Sequence, residues 1–134
     1  MTHHKPNKTN LLVIKPDDAV HDTHHGFQRG WGVSYRTAGA QAISMAHGVL
    51  APGAKAEPHY HPFETAIYVI RGAARVYYGP NLDQVVDCHA GEYVYIAPGV
   101  VHSPENLGDE PLEYIASRAA PEDIYFLPGT GPMA

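Results

Sequence analysis

This 134-residue chain has one cysteine, few basic residues and no long apolar run. Its one cysteine, Cys88, cannot close an internal disulfide, so packing alone must hold the fold. The opening residues, Met1-Thr-His-His-Lys-Pro-Asn-Lys, carry no hydrophobic leader, and a reducing cytoplasm is the expected compartment. Cys88 lies between a strand-like run and the turn His89-Ala90-Gly91-Glu92, with no positioned base nearby in sequence. It reads as a half-buried small side chain rather than a nucleophile. Nine Lys and Arg against fourteen Asp and Glu leave a net charge of −5, and no basic stripe is present to neutralise a phosphate backbone. Nucleic acid is therefore not an expected partner. No apolar run approaches the roughly 20 residues that cross a bilayer, so a soluble protein without a membrane partner is expected. A sustained 3.6-residue apolar period is also missing, which argues against a helical fold.

Thirteen glycines and twelve prolines are spread through the chain, and the short segments between them are rich in Val, Ile, Tyr and Ala. This is the punctuation of an all-β protein. Expected strands run from Leu11 to Ile14, Ala42 to Val49, Lys55 to His61, Thr65 to Arg71, Ala74 to Tyr78, Gln84 to Cys88, Tyr93 to Ile96, Val101 to Pro104 and Leu112 to Ser117. Turns fall at Ala51-Pro52-Gly53, Arg71-Gly72, Gly79-Pro80-Asn81-Leu82-Asp83, Ala90-Gly91-Glu92 and Pro98-Gly99. Many short antiparallel strands in one domain imply a sandwich or a small barrel. Residues 41–119 form the expected barrel, and residues 1–40, polar and weakly periodic, a lead-in segment that packs on it. Residues 120–134 form a tail whose Ile124, Tyr125, Phe126 and Leu127 are expected to plug the chain's own barrel or a partner subunit. The second option would make a homodimer, which is the expected assembly.

The histidines carry the chemistry. His59 and His61 stand two positions apart, and on a strand side chains at i and i+2 leave the same face. Two such imidazoles can meet one ion, and a distant third, His102 in Ala97-Pro98-Gly99-Val100-Val101-His102, can close the set. His3, His4, His21, His24, His25, His47 and His89 are expected to be ordinary surface or hydrogen-bonded residues. The group His21, His24 and His25 sits in a polar segment without an evident rigid scaffold, which is weak ground for a second metal site.

The stretch from Gly53 to Asn106 resembles the two signatures of the cupin superfamily, G-x5-H-x-H-x3,4-E-x6-G and G-x5-P-x-G-x2-H-x3-N. Gly53, His59, His61 and Gly72 fit the first, and Gly91, Gly99, His102 and Asn106 fit the second. The resemblance implies a single jelly-roll barrel, the double-stranded β-helix, with a shell of three histidines and one glutamate around a metal. Two positions depart from the pattern. The second motif's proline falls on Ala97, with Pro98 one residue later, and the first motif's glutamate falls on Thr65, with Glu64 one residue early. Two shells are then open. A β-bulge after Pro62 would turn Glu64 inward as a fourth ligand, whereas strict alternation keeps residues 61, 63 and 65 on one face and leaves a neutral triad of His59, His61 and His102. Strand geometry favours the triad.

With Thr65 facing inward, Ile67 and Val69 follow it, and the next strand contributes Ala74, Val76 and Tyr78. Thr65, Ile67, Val76 and Tyr78 are the expected ligand contacts, and Phe63, Tyr93 or Tyr95 could wall one side. Such a pocket suits a small, partly hydrophobic organic ligand that reaches the ion through oxygen or nitrogen. The cofactor expected is one divalent transition metal, Fe, Mn, Ni or Zn. The working expectation is a dioxygenase-type metalloenzyme, which the ligand count of a three-histidine cupin implies. Isomerase or lyase chemistry, with Glu64 or a tyrosine moving the proton, is a second reading. A non-catalytic cupin that binds or senses a small molecule is a third.

Overall fold

The computed structural model describes residues 11–134; residues 1–10, including His3 and His4, lie outside the described part. Nine strands occur among the described residues: β1 (Val20–His24), β2 (Phe27–Val33), β3 (Ser44–Leu50), β4 (Thr65–Arg71), β5 (Ala73–Tyr78), β6 (Gln84–His89), β7 (Tyr93–Ile96), β8 (His102–Glu105) and β9 (Leu112–Arg118). They form two antiparallel sheets, one in the order β1-β2-β3-β9-β4-β7 and one in the order β6-β5-β8. The fold is the jelly roll, nearly all β. A single-turn helix, α1 (Tyr35–Ala38), follows β2 and is started by a reciprocal bond between Ser34 and Thr37. No helix among the described residues is long and apolar enough to cross a membrane.

Alternation builds the interior. In β3 and β9 every second residue is buried, and the register pairs the buried ones directly: Ala46 with Ala116, Gly48 with Tyr114, Leu50 with Leu112. Leu50, Leu112, Tyr114 and Ala116, with Val69 on β4, meet Ala74 and Cys88 from the smaller sheet to form one apolar core. Phe27, Ile67, Val76 and Val94 pack around it. The core fills the end of the sandwich away from the histidines, so the other end is free to be polar.

Three stretches differ from the strand assignments expected. Leu11 to Ile14 forms no strand. Lys55 to His61 makes only isolated bridges, Lys55 with Glu105, His59 with His102 and Tyr60 with Phe126, because Pro58 and Pro62 lack the N–H groups a continuous ladder needs. Within the stretch expected as a lead-in, residues 20–33 form a hairpin that continues the six-stranded sheet, β2 pairing with β3 from Phe27 opposite Leu50 to Val33 opposite Met45. The tail closes on its own barrel. Tyr60 and Phe126 exchange both backbone hydrogen bonds, at 3.0 and 2.9 Å, and the Tyr60 hydroxyl donates to the Thr130 carbonyl at 2.6 Å.

Candidate functional site

His59 and His61 lie on the bridge segment between Pro58 and Pro62, and His102 opens β8. The backbones of His59 and His102 bond to each other in both directions, at 3.2 and 3.0 Å, which fixes the two imidazoles side by side. Ring centroids are 4.5 Å apart for His59 and His102, 5.0 Å for His59 and His61, and 5.6 Å for His61 and His102. One ring nitrogen from each lies within 4.8 Å of the other two. All three residues are buried.

The other nitrogen of each ring is already engaged. Nδ1 lies 2.8 Å from the Glu57 carbonyl in His59, 2.7 Å from the Ile124 carbonyl in His61 and 2.8 Å from the Val100 carbonyl in His102. A carbonyl only accepts, so each Nδ1 must carry the proton, and each Nε2 is left as a lone pair. The rings are held neutral. Burial, reinforced by the His102 ring, pushes His59 down to about 2. Burial and the Arg118 charge take His61 to about 3, and burial takes His102 to about 4. Three unprotonated, pre-oriented imidazoles are a donor set that can hold a divalent transition metal.

Two further imidazoles stand over this cluster. The β1–β2 hairpin turns through His25 and Gly26, both with positive φ, 49° and 82°, as a two-residue turn of the mirror-image type demands. The tip brings His25 flat against His59, centroids 4.3 Å apart and planes 4° from parallel. His24 packs edge-on against His25 at 3.8 Å and Tyr125 at 4.2 Å. Nε2 of both His24 and His25 is buried without a hydrogen-bond partner. The expectation that His24 and His25 are ordinary surface or hydrogen-bonded residues is thus corrected: a tight turn supplies the scaffold that the polar sequence hid.

Beyond them the wall of the cavity is ionic. Arg29 on β2 makes a paired contact with Asp22 on β1, at 2.9 and 3.0 Å, and a third bond to Asp123 at 3.0 Å. Arg118 at the end of β9 binds the other oxygen of Asp123 through one Nη, and the indole of Trp31 lies under both guanidinium groups, 5.0 and 5.3 Å from their centres. The Arg118 Nε and the Thr65 hydroxyl are buried and unpartnered.

Of the expected ligand contacts, Thr65, Ile67 and Val76 line the cavity with His59, His61 and His102, and Tyr78 is not among the lining residues. The volume is about 70 Å³. Glu64 is exposed and accepts a 2.6 Å hydrogen bond from the Tyr95 hydroxyl on the outer surface; Thr65, 2% exposed, takes the inward position. From Thr65 to Tyr68 the strand pairs in unbroken register with Ile96 to Tyr93, which keeps Thr65 on the inner face. The inward Glu64 shell is therefore not the one present. Tyr93 and Tyr95 face outward too, whereas Phe63 stacks behind His61 at 5.2 Å. Cys88 sits at the apolar end of the cavity, its thiol pushed up by burial, in keeping with a packing role. Sequence reasoning missed Arg29 and Arg118, because a single arginine in a strand carries no spacing signal.

A jelly roll with imidazoles converging at one end of its two sheets defines a β-barrel protein built around a small polar centre. The chain belongs to the cupins: the family model for the cupin domain matches residues 46–117, just over half of it. Among solved structures, a formate complex of oxalate decarboxylase from Lactobacillus farciminis is similar at 25% identity and a TM-score of 0.71, over 83% of this chain and 34% of that one. The Bacillus subtilis oxalate decarboxylase, studied for its Mn(II) centres, is 24% identical with a TM-score of 0.69, over 82% of this chain and 29% of that one. The polyketide cyclase RemF from Streptomyces resistomycificus is 16% identical with a TM-score of 0.68, over 81% and 78% of the two chains. This chain thus spans about a third of the length of the oxalate decarboxylases it matches. No curated protein matches it by sequence.

Proposed function

We propose that the chain is a metal-binding cupin in which Nε2 of His59, His61 and His102 holds one divalent transition metal, and that it is a metalloenzyme of dioxygenase type acting on a small organic molecule. The observation that carries the metal reading is the backbone carbonyl on every Nδ1 of the triad, which sets the tautomer and aims three lone pairs together. The ion is Fe, Mn, Ni or Zn, each of which imidazole nitrogens can hold, and the Mn(II) centres of the Bacillus subtilis oxalate decarboxylase are in keeping with a divalent ion in such a fold. Such an ion supplies Lewis acidity, and iron among them supplies redox chemistry with dioxygen.

The chain's own residues shape the rest. Ile67, Val69, Val76, Val94 and Ile96 keep the inner end of the cavity dry. The unpartnered Nε2 atoms of His24 and His25 stand at its rim as hydrogen-bonding groups for a ligand, the role that Glu64 cannot fill from outside the barrel. A homodimer in the cytoplasm is part of this reading. Exposed apolar residues on the outer faces, Ile43 just before β3, Met45 on β3, and Tyr68, Ile70 and Tyr93 on β4 and β7, are what a second copy would cover.

The test is metal analysis of the purified protein. About one ion per chain is expected in the natural sequence and in Glu64→Ala, and none in His102→Ala with its circular dichroism unchanged. Full occupancy in His102→Ala would remove the triad, and a protein that takes up no metal at all would point instead to a non-catalytic binding barrel.

A further inference from the structure

The cavity contains a second recognition element that the histidine cluster does not explain. Thr65 and Arg118 are direct register partners on β4 and β9, so their side chains leave the same inner face of the sheet as neighbours. Both line the cavity. Thr65 is 2% exposed and Arg118 9%, yet the Thr65 hydroxyl and the Arg118 Nε have no partner. Buried donors left unpaired are costly and rare, and the rest of this wall is satisfied: Arg29 spends its donors on Asp22 and Asp123, and Arg118 spends one Nη on Asp123. Two arginines are matched by two aspartates there, so the wall is charge-neutral with one guanidinium edge and one hydroxyl to spare.

The remaining surroundings select the sign of what fills that corner. The cavity lining contains no Asp or Glu; beside Thr65 and Arg118 stand five imidazoles, Arg29, the Tyr114 and Cys88 side chains and otherwise apolar groups. A cationic ligand would find no counter-charge. An anion would gain a charged donor and a hydroxyl, and, where the triad holds a divalent ion, a cation of undiminished charge as well. The volume of about 70 Å³ limits the ligand to a few heavy atoms beyond its head group.

We infer that Arg118 Nε and Thr65 Oγ1 form a carboxylate subsite, so that the ligand of this cupin is a short-chain carboxylic acid held by its carboxylate at this corner, with its far oxygen directed toward the histidines. The subsite deepens the metal reading, on which only the far contact rests; the corner itself is built from protein alone.

The probe is pyruvate, with pyruvamide as its neutral counterpart of the same shape, titrated calorimetrically into Mn(II)-loaded and metal-free protein. Pyruvate is expected to bind both forms, more tightly with metal, and pyruvamide to bind at least tenfold more weakly. Thr65→Val keeps the shape of the side chain and removes only the hydroxyl, and is expected to weaken pyruvate about tenfold, the cost of one hydrogen bond to a charged group. Arg118→Gln is expected to weaken it about a hundredfold. Mn(II) stoichiometry should be unchanged in both variants. Should Arg118→Gln fail to fold, Thr65→Val and the amide comparison decide the matter alone. Equal binding of acid and amide, or natural affinity in Thr65→Val, would overturn the subsite. Absence of Mn(II) uptake with pyruvate binding retained in the metal-free protein would overturn the metal reading and leave the subsite standing.

Discussion

At the scale of single residues, the positions that made the sequence legible do different jobs. The Asn106 side chain is engaged with backbone groups. Its amide donates to the Leu50 and Glu110 carbonyls at 3.0 and 2.9 Å and its oxygen accepts from Gly108 at 3.0 Å, tying three loops beneath the site. Gly53 and Gly72 both have φ near +80°, but their surroundings differ. A Cβ at Gly53 would meet nothing within 4 Å, whereas at Gly72 it would lie 2.5 Å from the Pro111 carbonyl oxygen, a backbone atom that cannot turn aside. Gly53→Ala should therefore cost about 1 kcal/mol, the left-handed backbone alone, and Gly72→Ala about 3 kcal/mol, strain plus collision. Guanidinium denaturation of the two variants checks this, and equal losses would show that the close approach to Pro111 is relieved by a backbone shift. Glu64 and Thr65 belong to the same scale. Strand parity alone told which of them faces inward, because a one-residue offset always exchanges the two faces.

At the scale of elements, the core strands were legible and the hairpin was not. Strands β3, β4 and β9 bury alternate apolar residues, and that period survives in the sequence. Strand β1 offers no such pattern: Asp22 and His24 share the face that serves the polar wall and the histidine cluster, so the strand reads as a loop. A segment shaped by its site rather than by the core loses the apolar signal that would reveal it. The tail was legible as a plug but not as part of the centre, since its contribution is a backbone carbonyl. Ile124 supplies the acceptor that sets the His61 tautomer, and Phe126 ties the tail to Tyr60. Removal of residues 128–134 should leave metal affinity within about threefold of natural, because Ile124 and Phe126 remain. Removal of residues 124–134 should lower it about 10- to 100-fold, the usual effect of losing the partner that orients a ligating imidazole. Competition titration against a chromogenic chelator measures both, and identical affinities would show that the Ile124 carbonyl plays no part in orienting His61.

At the scale of the whole molecule, one barrel combines a dry core at one end with five histidines at the other, and the metal-free protein must bear the consequence in acid. His59, His61 and His102 are neutral in the fold, held down to about 2, 3 and 4 chiefly by burial, but take up protons near 6.5 once the chain unfolds. Below that point the unfolded chain binds more protons than the folded one, so stability is complete above pH 6.5 and falls as the pH drops. Each histidine contributes a slope approaching about 1.4 kcal/mol per pH unit. Guanidinium midpoints of metal-stripped protein should therefore hold nearly level from pH 7.5 to about 6.5 and decline from there to pH 5. Loading with metal should raise the midpoint at every pH in this range while leaving the slope unchanged, because the ion binds folded rings that are already unprotonated. In His102→Ala the slope should be shallower, by about one histidine's share. A midpoint independent of pH across this range would mean that the rings take up protons as readily in the folded protein as in the unfolded chain, and the neutral centre on which metal binding depends would have to be abandoned.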